Sequence, residues 1–518
     1  MIFSSSVFIF VFLPIALSLY LITNRLMPSF RFSVIIFISL VFYSYWEWSH
    51  TIIILSSILV NFAFHKYIAQ YKSKTVFSTA IALNVAVLIY FKYAYFLAES
   101  VLFVSSDWAS YLDLALPLGI SFFTFQQIAF LSDVFRGITP VQSFGRYALF
   151  VTFFPQLVAG PIVHHREMMP QFFASTTSSG LSHSFGIGLS LFIIGVFKKV
   201  IIADNLATLV GPVFEAAADG RVPHLILAWT GTLAYTFQLY FDFSAYSDMA
   251  MGLALMFGIK LPANFNSPYK ACSIVEFWRR WHMTLSRFLR DYIYIPLGGN
   301  RQGQGARYTN LMVTMLIGGL WHGAGWNFLI WGGLHGAFLV VNHLWISLDH
   351  HRRIKLSPLI AWALTFLAVA LAWVLFRATS LEAAFTIYKS LFGFGPIALP
   401  LEVKPLLEMV GLGTLADSLT YFAENNRRDF YLGAIWILVA ALIAFFAPNS
   451  LQITQRFEPA TNMAALRKDW PTISSSPKLP KLEFRGRWVD GLIAGSVLAL
   501  VIIVLNTAPA GEFLYFQF

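Results

Sequence analysis

Apolar runs of about 18 or more residues recur along almost the whole chain, and this repetition constrains the fold more than any single motif. A bilayer offers no water to unpaired N–H and C=O groups, so such runs fold as helices whose hydrogen bonds close within the segment. Of the 518 residues, 58% are hydrophobic and 12% charged, against about 25% charged in an average soluble domain. The chain therefore reads as an all-α polytopic membrane protein. Its 52 Phe, 21 Tyr and 15 Trp are read mainly as lipid-facing bulk and interface anchors. A net charge of +10 on a soluble chain would suggest nucleic acid; here it is read as cytoplasmic loops, with no nucleic-acid partner expected. The single cysteine, Cys272, excludes an intramolecular disulfide and a multi-cysteine metal site, and reads as a small core residue.

The opening run, M-I-F-S-S-S-V-F-I-F, has no basic n-region and no small-residue cleavage site after it, so it is expected to remain as the first helix. Arg25 and Arg31 follow that helix, whereas the turn Glu47-Trp48-Ser49-His50 after the second has no Lys or Arg. Lys66, Lys72 and Lys74 follow the third, and the segment Glu99 to Asp113 after the fourth is acidic. This alternation obeys the positive-inside rule with the N-terminus outside. Residues 1–115 are thus four N-terminal transmembrane helices. The run from Val151 to Ile162 is short and broken by Pro155, Gly160 and Pro161, which suits a re-entrant or interfacial segment. Spans are expected at about Phe185 to Ile202 and Leu225 to Tyr240, with Asp242 and Asp248 between apolar helices, where each needs a partner. Residues 347–507 hold the C-terminal helices and a cytoplasmic loop at 448–487. Residues 508–518 form an aromatic tail, expected on the external face as an interface anchor.

Two histidines stand out between Glu276 and Gly336. The region from Lys260 to Arg307 is basic, with Lys270, Arg279, Arg280, Arg287, Arg290 and Arg301. On a helical wheel Trp278, Trp281, Leu285, Phe288 and Leu289 share one face and Arg279, Arg280, Arg287 and Arg290 the other, the pattern of an amphipathic helix in the membrane interface. His282 falls at the edge of its apolar face, at the expected cytoplasmic lip. The 309–346 stretch is flanked on both sides by basic residues, so it must enter the membrane and return. Its natural break is Gly318 to Gly325, which puts His322 at a bend about 20 Å from the basic surface. An ionisable group at that depth is costly, and catalysis, proton relay or ion coordination would each justify it. Two readings remain: an enzyme passing a group between the two sides with His322 as acid or base, and a proton-coupled transporter. The sequence shows neither the self-similar halves common in transporters nor a chain of carboxylates leading to His322, which favours the enzyme.

The stretches Leu116-Pro-Leu-Gly-Ile-Ser-Phe-Phe, Phe154-Pro-Gln-Leu-Val-Ala-Gly-Pro-Ile, Leu239-Tyr-Phe-Asp-Phe-Ser-Ala-Tyr-Ser-Asp-Met-Ala, Asn264-Phe-Asn-Ser-Pro-Tyr, Glu276-Phe-Trp-Arg-Arg-Trp-His, Leu297-Gly-Gly-Asn-Arg and Gly319-Leu-Trp-His-Gly follow one another in order. Together they resemble the bacterial membrane-bound O-acyltransferase (MBOAT) family, particularly its alginate O-acetyltransferase membrane-subunit group. The resemblance implies an MBOAT-type helical core with about 10–12 transmembrane helices plus re-entrant or interfacial segments, the catalytic core falling at 116–346. It makes His322 the catalytic histidine and His282 the second of the family's pair. The ending Phe513-Leu-Tyr-Phe-Gln-Phe518 fits an aromatic motif of related envelope acylation systems, which makes Tyr515 the candidate acyl carrier. Also implied are acetyl-CoA as cytoplasmic donor, with its phosphates on the basic face from Arg279 to Arg307, and no permanently bound cofactor or metal. The expected acceptor is an extracytoplasmic polysaccharide, alginate-like or peptidoglycan, reached with a periplasmic acetyltransferase partner. The expected location is the bacterial inner membrane, both termini periplasmic.

Overall fold

The computed structural model describes residues 1–173, 178–352, 356–399, 401, 403–421, 424–469, 483–507 and 511–514. In chain order the main helices are α1 (Phe8–Leu26), α2 (Arg31–Ser44), α3 (Trp48–Tyr71), α4 (Lys74–Val101), α5 (Ile120–Phe135), α6 (Gly180–Ala218), α7 (Leu225–Met256), α8 (Gly303–His322), α9 (Trp326–Arg352), α10 (Pro358–Arg377), α11 (Glu424–Phe446) and α12 (Trp488–Thr507). Among the described residues seven helices are long and apolar enough to cross a membrane: α1, α3, α4, α6, α9, α10 and α12. Shorter apolar helices join them in the bundle, and the molecule is the all-α polytopic architecture that the sequence implied. Local chemistry sets several boundaries. Ser73 and Ser357 accept hydrogen bonds from Val76 N and Ile360 N and so cap α4 and α10, and Pro358 takes the first helical position of α10.

Burial sorts the helices into a rim and a post. α12 buries only 11% of its most apolar window, so it presents its sides to lipid, whereas α6 buries 61%. α7 is the post. From Ala234 to Met256 every residue is buried, and α7 contributes to both large apolar clusters, one shared with α1, α2 and α5, the other with α10.

The central helices differ from the spans expected from sequence. α6 does not stop near Ile202 but continues through a π-helical turn, Lys198–Ala203, to Ala218. α7 does not stop at Tyr240 but runs to Met256, so Asp242 and Asp248 lie inside a helix rather than between two. Hydropathy falls at these carboxylates, which reads as a boundary; in the fold the charge is met by Lys199 Nζ at 2.7 Å from Asp242 and Lys198 Nζ at 2.9 Å from Asp248.

The broken run at 151–162 fits the re-entrant reading. Helices Phe144–Thr152 and Phe154–Leu157 lead into irregular backbone that is buried in protein, where side chains satisfy it. Gln126 Nε2 and Gln156 Nε2 both donate to Phe150 O at 2.8 Å, while Ser39 Oγ and Thr284 Oγ1 accept from Phe154 N and Ile162 N. Cys272 is a correction: it is exposed, in a loop where its N–H donates to Glu276 Oε2, and not in the core.

Candidate active site

α8 ends at His322, Gly323 is extended, and α9 leaves at Trp326, so the histidine stands at the apex of a helical hairpin as its flanking charges required. The hairpin closes because glycines face each other across it. A Cβ on Gly319 would lie 3.0 Å from Gly332 Cα, so the two backbones are in contact and neither position has room for a side chain. The last carbonyls of α8 point away from any further turn and need donors. Lys92 supplies two, from Nζ to Trp321 O at 2.7 Å and to His322 O at 3.1 Å, and Tyr93 Oη donates to Leu320 O at 2.6 Å. Both residues belong to a π-helical turn of α4, Ile89–Tyr93. At the start of α9, Asn327 Nδ2 donates to Ala378 O at 2.7 Å and ties the apex to the end of α10. The His322 ring is buried among Trp321, Trp331 and Phe376, with centroid separations of 4.9, 5.2 and 5.1 Å.

His282 differs from its expected setting. Residues 274–289 are not one amphipathic helix but two short ones, Ile274–Arg280 and Met283–Leu289, and His282 is the joint, with φ +41°. Left-handed backbone is uncommon for a non-glycine residue and is held here by its neighbours. Asn264 makes the break. Its Oδ1 accepts from Thr284 N at 3.2 Å and Thr284 Oγ1 at 3.0 Å, and lies 3.1 Å from His282 Nδ1. An oxygen that accepts at Nδ1 selects the Nδ1–H tautomer and leaves Nε2 as the basic nitrogen. His282 is 0% exposed, and the whole apolar face, Trp278 to Leu289, packs into protein instead of lipid. The expected cationic face is also largely spent inside the chain. Arg280 is buried and pairs with Glu276, Arg287 makes two bonds to Glu167 Oε1 and Oε2 (2.6 and 3.0 Å), and Arg290 meets Asp291, while Arg279 and Arg301 remain exposed.

The fold brings the two histidines together, with ring centroids 6.2 Å apart and Trp321 against both. A cavity of about 630 Å³, lined by Tyr95, Glu99, Asn327, Phe328, Phe376 and Arg377, opens on the face where α4 and α10 end. The Phe376 ring lines that cavity and also packs against the His322 ring, 5.1 Å between centroids. On the Arg287 side, Tyr292 Oη donates to Asp133 Oδ1 at 2.9 Å and lies 3.1 Å from His164 Nδ1. A buried pair of this kind can supply a neutral imidazole as proton acceptor.

Tyr515 lies outside the described residues. Of the tail expected as an external anchor, Gly511 to Leu514 are described: Phe513 and Leu514 are 1% and 6% exposed and pack against α6 and α7. Sequence reasoning also missed Lys92, Lys199, Asn264 and the buried His335, whose Nδ1 accepts from Trp278 Nε1 at 3.3 Å. A lysine alone in an apolar run was a usable signal for Lys92 and for the Lys198-Lys199 pair; Asn264 stands in one of the stretches that carry the resemblance, but nothing in that stretch tied it to His282.

The fold is a helical membrane bundle that buries one histidine at the apex of a hairpin beside a second at the joint of two short helices. Residues 38–385 match the membrane-bound O-acyltransferase (MBOAT) family, and the chain belongs to that family of acyltransferases. It is 42% identical over 490 residues to a peptidoglycan O-acetyltransferase of Helicobacter pylori, covering 88% of this chain and 91% of that one. It is 35% identical over 551 residues, the full length of both, to the probable alginate O-acetylase AlgI of Pseudomonas aeruginosa. A teichoic acid D-alanyltransferase of Streptococcus thermophilus is 28% identical over 237 residues, 44% of this chain and 57% of that protein.

Proposed function

We propose that the protein moves an acetyl group from cytoplasmic acetyl-CoA across the bacterial inner membrane for O-acetylation of an extracytoplasmic polysaccharide, in concert with a periplasmic acetyltransferase. His322 is the general base, taking the proton from an attacking hydroxyl as its oxygen adds to the thioester carbon; collapse of the adduct expels the CoA thiolate. His282 orients the donor, and the proton taken by His322 returns to the departing sulfur, directly or by way of the basic Nε2 of His282, which first accepts it. Tyr515 is the proposed hydroxyl, receiving the acetyl group as an ester and passing it outward. The observation that carries this reading is the buried His282–His322 pair, 6.2 Å apart, with the Phe376 ring packed on His322 and also lining the 630 Å³ cavity. Exposed Arg279 and Arg301 are the arginines best placed to meet donor phosphates.

Acyl transfer in reconstituted protein with radiolabelled acetyl-CoA tests it. Label on the wild type that is lost in folded His322→Ala and in Tyr515→Phe is the expected result. Loss in His322→Ala alone returns the tail to a non-covalent role, and no label with any thioester donor removes the covalent carrier route. A second acceptor is kept because one relative at 42% identity is named for peptidoglycan; transfer assays therefore include that glycan beside alginate-like polymers.

A further inference from the structure

The segment Gly511–Leu514 is fastened inside the bundle by charge. Lys199 Nζ, in the π turn of α6, lies 2.7 Å from Asp242 Oδ1 and 2.8 Å from Asp204 Oδ1. Each member of this trio also gives one bond to the backbone of the tail. Asp204 Oδ2 accepts from Gly511 N at 3.2 Å, Lys199 Nζ donates to Glu512 O at 2.9 Å, and Asp242 Oδ2 accepts from Leu514 N at 3.0 Å. The Phe513 ring sits 4.8 Å from Lys199 Nζ and edge-on to Tyr246 at 4.8 Å.

The neighbouring pair shows that a buried ion pair here does not require a tail. Lys198 binds Asp248 Oδ2, and the other oxygen of Asp248 is taken by the hydroxyl of Ser450 at 2.8 Å. At Asp242 the equivalent second bond comes from Leu514. Two carboxylates around one ammonium carry a formal negative charge, which backbone N–H donors suit and a buried apolar partner would not. Gly511 completes the fit, since a Cβ there would lie 3.0 Å from Asp204 Oδ1. We infer that Lys199, Asp204 and Asp242 form a docking site for the backbone of the tail, and that docking sets the register from which Tyr515 follows. Consecutive Cα atoms are 3.8 Å apart, so whatever holds Leu514 restricts the reach of the next residue. The same level of α7 carries Phe243, whose ring is 4.7 Å from that of His282. The purpose given to the site, holding the chain just before the proposed acyl carrier, rests on the role given to Tyr515 above.

The test is the maleimide labelling rate of Leu514→Cys in a Cys272→Ser background, a substitution that keeps the docked backbone N–H. With the trio intact, labelling is slow. Asp242→Asn and Lys199→Met are expected to speed it by roughly tenfold or more, the effect of losing one hydrogen bond to a charged group. Should either variant fail to fold, Gly511→Val decides, because it crowds Asp204 without removing a buried charge. An unchanged rate in folded variants, or fast labelling with the trio intact, overturns the docking site whatever happens to acylation. Acyl label measured on the same proteins separates the two proposals. Faster labelling with acyl label lost supports both; faster labelling with acyl label kept leaves the docking site standing and removes Tyr515 as its purpose.

Discussion

Lys92 reaches the site from a π turn and holds the carbonyls of Trp321 and His322. Lys92→Met keeps the stem and removes the donors, leaving helix-end carbonyls unpaired, which costs about 1–3 kcal/mol. Because the same bonds fix the backbone of His322, acyl transfer should fall by roughly tenfold or more, as it does when a reacting group is misplaced. Thermal midpoint and transfer rate, measured together, check this; full activity at lowered stability would make Lys92 a brace only. His164 illustrates a different effect. Burial, reinforced by Arg287 and Arg166, pushes its imidazole down from the usual value near 6.5 to about 3. The unfolded chain then binds a proton that the folded one refuses. Its contribution is therefore whole above about pH 6.5 and is lost as pH falls from there towards about 3. Thermal midpoints at pH 7.5, 6 and 5 should drop less steeply in His164→Gln than in wild type; parallel curves would reject the assignment. Of the residues that matter, His322 was legible because a histidine deep in an apolar run is costly. The joint at His282 was not, because it is made by Asn264, 18 residues away, and no periodicity records such a bond.

At the scale of elements, the hairpin of α8 and α9 was legible from charge parity and glycine, and the segment 274–289 was misread. A helical wheel assigns faces correctly only if the helix is continuous. The apolar side was real, but it faces protein because Tyr269, Trp373 and neighbouring rings close over it. The glycine contact supplies a prediction at this scale. Gly319→Ala places a methyl against the backbone of α9, which must open the hairpin, and overpacking of this kind costs about 1–3 kcal/mol. The expected outcome is a lowered thermal midpoint and reduced transfer. Ala at Gly491, where nothing lies within 4 Å, should change neither. Equal effects at the two positions would show that the close approach has no special weight. The central spans were harder to read for a related reason: α6 and α7 carry their charges inside helices, paired with each other, so hydropathy alone cut both helices short.

The alternating basic and acidic turns of the sequence predict an orientation for the whole molecule. Glu47 caps the start of α3 and Glu99 lies near the end of α4, while Arg25 sits in the last turn of α1 and Lys72 and Arg136 directly follow α3 and α5. In the proposed function the positive-inside rule puts the basic segments in the cytoplasm, and the 630 Å³ cavity is proposed to open outside. The chain carries its own reporter for this assignment. Cys272 is its one cysteine, it is exposed, and it sits in the basic segment before the first short helix. A membrane-impermeant maleimide should label wild-type protein in inside-out vesicles and leave it untouched in right-side-out cells, and Cys272→Ser should abolish the signal in both. Labelling from the cell exterior would turn the molecule over. The donor would then have to meet Arg279 and Arg301 outside, the acceptor would enter the cavity from the cytoplasm, and the proposed direction of acetyl transfer would be untenable even with His322 at its centre.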